Sequence, residues 1–310
     1  MNSFLEIENL HRSFGKTKAL NGLSLSIPEN SISAFVGANG AGKTTTFSVL
    51  GQFIRPNQGE LRVGGRSLAE FKKQGEFIGI LPQDMQYFED RSVHAQLSLF
   101  AKLSGLSSSK AKEEASRVLS LVRLEDKASV KPSELSRGML VRLGVAQALI
   151  AEPKLILLDE PTAGLDPSMV ASFRSVVEGL RGKATVVISS HNLSELEELC
   201  DYVCIIDKGK LVYQGRMQEV LSKSSSVIVN TTESKVDLSS LSSELRAIEL
   251  SQSEDAQIVA TFDPKLMSIE EVNKQLLPAL ISRGIGITSI RSTQSLEDWY
   301  FELLEKSQTL

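Results

Sequence analysis

The chain has 310 residues, 41% of them hydrophobic and 23% charged, with a formal net charge of −4; these are the proportions of an ordinary globular protein long enough for one large α/β domain and a smaller one. No apolar run approaches the roughly 18–20 residues that cross a bilayer, and residues 1–6 lack the basic-then-apolar order of a secretory leader, which points to the cytoplasm. After residue 221 there are 8 Lys and Arg against 13 Asp and Glu, and before it 26 against 25; a neutral front and an acidic tail argue against nucleic acid, whose sequence-independent binding needs clustered basic charge.

In chain order, β-like runs at residues 4–7, 23–27 and 31–36 are separated by turns, and the third leads into a glycine-rich loop and an apolar helix from Lys43. Strand, glycine loop and helix in that order open an α/β domain. Between residues 92 and 131 the pattern becomes helical, with Leu97, Phe100, Ala101 and Leu103, then Val118, Leu119, Leu121 and Val122 on helix faces. A helical subdomain is therefore expected over about 84–150. Buried parallel-type strands return at 155–158 and 185–188, each followed by a loop and a helix. Cys200 and Cys204 are too few and too close for a disulfide framework, and with no further Cys or His cluster to complete a metal site they read as core.

Serine fills all but one position of residues 222–226, which marks a linker between 1–221 and 227–310. The tail reads as strand 227–229, helix 238–245, strand 247–250, strand 257–262, helix 268–281, strand 285–290 and a closing helix 296–305. This order resembles a ferredoxin-like βαββαβ unit with an added helix. The expected class is α/β with a small C-terminal α+β domain.

Two motifs carry chemistry. Gly37-Ala38-Asn39-Gly40-Ala41-Gly42-Lys43-Thr44 fits G-x-x-x-x-G-K-[ST] between a strand and a helix. Its glycines let main-chain N–H groups close around phosphate oxygens, the helix start adds positive dipole, Lys43 reaches the β- and γ-phosphates, and Thr44 can ligate Mg²⁺. Gly37, Asn39, Gly40, Ala41, Gly42 and the following Thr45 complete the expected contacts. The apolar strand at 155–158 ends in Asp159 and Glu160, expected respectively to hold Mg²⁺ and to act as general base toward the attacking water.

Four further features narrow the class. Gln83 lies in Ile80-Leu81-Pro82-Gln83-Asp84; Leu135-Ser136-Arg137-Gly138-Met139 opens an apolar helix; Asp159 and Glu160 continue through Pro161-Thr162-Ala163-Gly164-Leu165-Asp166; and Ser189-Ser190-His191 follows a strand. With the first two motifs, in this order, they make residues from about Phe4 to Val220 resemble the ATP-binding cassette (ABC) family. The resemblance implies ATP with Mg²⁺ as cofactor, Gln83 bridging Mg²⁺ or water and the helical subdomain, and Asp166 in the D-loop. His191 implies a switch histidine at the γ-phosphate, unless it is a structural residue at a strand end. Ser136 and Gly138, at a helix start, could complete a site begun by another copy's P-loop; Ser136 could equally be the helix N-cap alone. Arg137 and Met139 stand where the commonest family form has Gly and Gln. Phe14 resembles the family's adenine-stacking aromatic, although a strand aromatic can also be core.

The implied protein pairs with a second copy or a homologous subunit and drives a separate transmembrane permease from the inner face of the cell membrane. Tyr87 and Phe88, after Gln83, are either a docking surface for that partner or subdomain core. The signature Leu135–Met139 variant and the run Ser295-Leu296-Glu297-Asp298-Trp299-Tyr300-Phe301 look like those of bacterial export ATPases. The alternative, a soluble ABC ATPase of translation or DNA repair, is disfavoured by the single cassette and by the lack of a long charged coiled coil or basic surface run.

Overall fold

Two strands longer than the sequence pattern suggests form the N-terminal hairpin: β1 (Ser3–Phe14) and β2 (Thr17–Pro28), paired antiparallel from Ser3 opposite Pro28 to Phe14 opposite Thr17. The alternation that marks strands is broken by register shifts between Ile7 and Leu10 and between Arg12 and Ser13, so only the apolar stretches were legible as strand. Gly15, at φ +58°, makes the turn. The computed structural model describes residues 3–73, 77–190, 192–221, 226–233, 236–245, 247–253, 256–263, 266–292, 296 and 300. The chain divides into two units, Met1–Gly215 and Arg216–Leu310.

The first unit continues with β3 (Ile32–Val36), α1 (Lys43–Leu50), β4 (Gln58–Val63), β5 (Arg66–Ser67), α2 (Leu68–Lys73), β6 (Ile78–Leu81), α3 (Val93–Leu103), α4 (Ser108–Leu121), α5 (Arg137–Ala148), β7 (Leu155–Asp159), α6 (Pro167–Glu178), β8 (Thr185–Ser190), α7 (Leu193–Leu199), β9 (Tyr202–Asp207) and β10 (Lys210–Arg216). One sheet has the order β2-β1-β4-β5; the other, β10-β9-β3-β8-β7-β6, is parallel from β9 to β6. Strands β3, β7 and β8 are buried along their whole length, as expected for a parallel sheet covered on both faces. Leu5, Ile7, Leu23 and Ile27 of the first sheet share a core with Phe35, Leu155 and Val187 of the second and with Phe47 and Leu50 of α1. Phe35 and Phe47 stack at 5.7 Å.

The helical insertion is α3, α4 and α5, each begun by a serine N-cap: Ser92, Ser107 and Ser136. Its last helix lies hard against β6. A Cβ on Gly79 would be 2.0 Å from the Ala148 carbonyl oxygen, so no side chain fits there. The Tyr87 hydroxyl donates to the Leu140 carbonyl at 2.6 Å, and burial raises its pKa; Tyr87 is half-buried and packed onto the subdomain through α5. Phe88 differs, being 43% exposed against Phe100 at 6.0 Å.

The second unit holds α8 (Met217–Leu221), β11 (Ser226–Thr231), α9 (Ser239–Glu244), β12 (Ile248–Ser253), β13 (Gln257–Phe262), α10 (Ile269–Ile281) and β14 (Ile287–Ser292). Its sheet, order β12-β13-β11-β14, is antiparallel throughout, the pairing that a βαββαβ order produces when each helix crosses between non-adjacent strands. Val227, Val229, Ile258 and Phe262 pack on Val272, Leu276 and Leu280 of α10, whose start is fixed by a Ser268–Glu271 capping box. The division between units precedes the serine-rich stretch, of which residues 222–225 lie outside the described residues and Ser226 already opens β11. Of the helix expected at 296–305, only Leu296 and Tyr300 are described, both buried.

Candidate functional site

Strand register gathers the motifs. Val36, the last residue of β3, is opposite Ser190 of β8; Asp159 of β7 is opposite Ser189; and Leu81 of β6 is opposite Leu158. The carboxyl ends of four parallel strands are therefore level. Loops 37–42, 82–84 and 160–166 leave from that one edge, where open α/β sheets bind ligands. His191, next after β8, lies outside the described residues.

The loop after β3 depends on three glycines. A Cβ on Gly37 would stand 2.6 Å from the Ile206 carbonyl oxygen and 2.8 Å from the Ala41 Cβ. Gly40 and Gly42 take φ of +82° and +110°, and Gly42 also lies against the Ala19 carbonyl. The turn delivers Lys43 as the first residue of α1. Its Nζ donates to the Gly37 carbonyl at 2.7 Å and pairs with Glu160 Oε1 at 3.4 Å, both side chains being 6–7% exposed. Thr46 Oγ1 donates to the Gly42 carbonyl at 2.8 Å. Thr17, Lys18, Ala19, Asn39, Thr44 and Thr45 are among the residues lining an open cleft of about 570 Å³, which Gln83, Glu160 and Ala163 also border.

Asp159 is buried, and burial raises its carboxyl above the ordinary range, against hydrogen bonds from Ser189 and Thr44 that lower it. The Ser189 hydroxyl donates to Asp159 Oδ1 at 2.5 Å, and its oxygen accepts the Glu160 N–H at 2.8 Å. Glu160 has a left-handed backbone, φ +50°, a sparsely populated conformation for a non-glycine residue. Thr44 to Asp159 thus spans the P-loop and the end of β7, a set of hard oxygen donors.

Gly37, Ala41 and Asp159 sit behind the cleft lining, and Ser136, Gly138, Asp166 and Phe14 are not part of it either. Ser136 caps α5 by accepting the Met139 N–H at 3.4 Å. Gly138 packs against α6, where a Cβ would be 2.5 Å from Met169 Sδ. Asp166 caps α6 by accepting the Met169 N–H at 2.9 Å, and hydrogen bonds from Ser168 first and then this N–H lower its pKa. Phe14 is not core: it is 49% exposed, with the Arg12 guanidinium 4.7 Å from its ring centre. Its strand partner, Thr17, does border the cleft.

Residues 20–163 match the ABC transporter family model. The linearmycin resistance ATP-binding protein LnrL of Bacillus subtilis is 34% identical over 221 residues, 71% of each chain. The uncharacterized ABC transporter ATP-binding protein YxlF of the same organism is 31% identical over 303 residues, 97% of this chain and 99% of its own. The chain belongs to the ABC transporter family. As an ABC ATP-binding subunit it binds and hydrolyses ATP. A Nod factor export ATP-binding protein I of Cupriavidus pinatubonensis is 33% identical over 71% of this chain and 69% of its own length. Among solved structures, an ATP-binding cassette in its ADP conformation aligns with a TM-score of 0.62 at 25% identity, over 71% of this chain and 95% of that one. The cbiO1 subunit from Clostridium perfringens, part of an ABC transporter complex, aligns at 0.62 and 27% over 71% and 91%.

For an ABC ATPase the cleft shows what the sequence missed. Thr17, Lys18 and Ala19 border it because the long β1–β2 hairpin reaches that edge, and its register shifts hide its length from a period-two pattern. Ser189 was legible only as a neighbour of His191; the β7–β8 register makes it the hydrogen-bond partner of both Asp159 and Glu160. No described helix is long and apolar enough to cross a membrane. Cys200 and Cys204 are buried, and burial pushes the Cys204 thiol up to about 12.

Proposed function

We propose that two copies of this ABC ATPase, or one copy and a homologous subunit, close face to face on ATP and drive an export permease from the inner face of the cell membrane. One observation carries the reading: the P-loop cleft of a single chain is bordered by the glycine loop, Gln83 and Glu160, whereas Ser136, Gly138 and Asp166 do not line it. This supports a reading in which a single chain carries two half-sites, one at the glycine loop and one at the start of α5. Lys43 and the N–H groups of residues 39–45 hold the β- and γ-phosphates, and the amides at the start of α5, with Ser136 and Gly138, meet the γ-phosphate of nucleotide bound by the other copy. Asp166 orders the D-loop at that interface. Phe14 stacks on adenine from the rim.

Thr44, Asp159 and Gln83 suit Mg²⁺, a hard ion that takes oxygen donors; when bound, it neutralises charge on the β- and γ-phosphates. Glu160 takes a proton from the attacking water, and His191 donates a hydrogen bond to the departing phosphoryl group. Export is supported by the names of the relatives, which include linearmycin resistance and Nod factor export proteins. The C-terminal unit is an accessory domain, a reading supported by the alignment with YxlF along nearly the whole chain.

Size-exclusion chromatography tests the pairing. Glu160→Gln should retain ATP and run as a dimer, and Lys43→Ala should bind no nucleotide and run as a monomer. Wild-type hydrolysis by Glu160→Gln would remove the assigned base. Co-purification with a permease in detergent is expected; recovery with ribosomes or DNA instead would overturn the transport reading.

A further inference from the structure

We propose that Arg137 is a positioning residue that ties the start of α5 to the nucleotide cleft of its own subunit, making hydrolysis at one site of the pair depend on occupancy of the other. The inference rests on the paired reading above. Arg137 Nη2 donates to the Ala163 carbonyl at 2.9 Å, and Ala163 borders the P-loop cleft. The guanidinium also covers Gly164, which has φ +69° and where a Cβ would lie 2.7–2.9 Å from Nη2, Cζ and Nη1. The next residue makes a second contact: Gly138 packs against the Met169 side chain, which would have to shift to admit a Cβ, and the Met169 N–H is held by Asp166.

Two consecutive residues of the first α5 turn therefore grip the segment 163–169, Arg137 by its side chain and Gly138 by lacking one. A glycine at position 137 would have no such reach. From Ala163 the connection is short. The Ala163 N–H donates to the Glu160 carbonyl at 3.2 Å, and the Glu160 carboxylate meets Lys43 at 3.4 Å. When a partner's triphosphate engages the amides at Ser136 and Gly138, any shift of the α5 start is passed by Arg137 to Ala163, and so to the main chain of the proposed base. A chain of contacts becomes a coupling only if perturbing it changes cooperativity.

The test measures ATP hydrolysis against ATP concentration in the purified full chain, with nucleotide affinity measured separately in EDTA. Wild type should show a Hill coefficient of roughly 1.5 or more. Arg137→Ala should bring it to about 1 and lower kcat about tenfold, with KM and the EDTA affinity within roughly twofold. Arg137→Lys, whose ammonium can still reach the Ala163 carbonyl, should recover part of both. A wild-type coefficient of about 1, or an unchanged coefficient in Arg137→Ala, would each overturn the proposal. Glu160→Gln separates the two readings: if it fails to dimerise on ATP the paired reading itself fails, whereas dimerisation with cooperativity indifferent to Arg137 refutes only the tie.

Discussion

Lys43 has a partner that an arriving triphosphate must displace, and Glu160→Gln removes it. Lys43 Nζ and Glu160 Oε1 are 3.4 Å apart with 6–7% exposure. At an effective dielectric constant of about 20, two unit charges at that distance attract by about 5 kcal/mol before desolvation is counted. Desolvation offsets much of this, but leaving one member of such a pair unmatched still costs several kcal/mol in buried settings. Because Lys43 faces the cleft and keeps its bond to the Gly37 carbonyl, a loss of about 2 kcal/mol in stability without ligand is expected. Nucleotide should regain it. With no carboxylate to displace from Lys43, ATP binding should strengthen by about 2 kcal/mol, roughly thirtyfold. Calorimetric titration in EDTA, which prevents hydrolysis, reads the affinity, and urea unfolding reads the stability. Equal ATP affinity in Glu160→Gln and wild type, or additive stability losses in Lys43→Ala and Glu160→Gln, would refute competition at Lys43.

Gly79→Ala places a methyl 2.0 Å from the Ala148 carbonyl oxygen and 2.9 Å from Pro153 Cγ; main chain cannot yield as a side chain does, so urea unfolding should show a loss of about 3 kcal/mol or more, and a loss below about 1 kcal/mol would contradict that packing. Gln96 is 1% exposed, and neither polar atom of its amide has a hydrogen-bond partner among the described residues; Gln96→Leu should stabilise the protein by about 1 kcal/mol in the same assay. Glu114 accepts two bonds from Arg117 at 2.7 Å and the Ala151 N–H at 2.8 Å, and the Arg117 hydrogen bond above all lowers its pKa. Its contribution is present above the ordinary carboxylate pKa of about 4.3 and is lost as pH falls through the lower folded value. Wild-type stability should therefore drop more steeply than that of Glu114→Gln across that acid window, and parallel curves would remove the pair from the account.

Most of the cleft was legible because its residues are contiguous and chemically constrained. Gly37 to Thr44 can turn around a phosphate only with glycine where φ is positive, and Asp159 and Glu160 follow a strand that is apolar because both its faces are covered. Less legible was whatever the register creates. The Lys43–Glu160 pair joins residues 117 positions apart, and Ser189 bonds Asp159 only because β7 and β8 are in register at that point. The Arg137 contact with Ala163 had no sequence signal, since a side chain reaching a main-chain carbonyl leaves no pattern. The full length of the N-terminal hairpin leaves no clear pattern because its register shifts interrupt the period of two. In the C-terminal unit, by contrast, strands such as Gln257–Phe262 keep a strict alternation of buried and less buried positions, and there element order was readable.

The central claim, that a triphosphate is held between the P-loop of one copy and the α5 start of another, can be tested by cross-linking. Asn39 and Ser136 are both exposed, whereas the native Cys200 and Cys204 are buried with raised thiol pKa values, so cysteines introduced at the two exposed positions should react first. In a Glu160→Gln background, separately purified Asn39→Cys and Ser136→Cys chains are mixed and treated with a short bifunctional thiol reagent. The account predicts a covalent dimer only when both chains and ATP are present. Bound ATP without any cross-link in the mixture, or an ATP-dependent cross-link within one dilute chain carrying both substitutions, would contradict it.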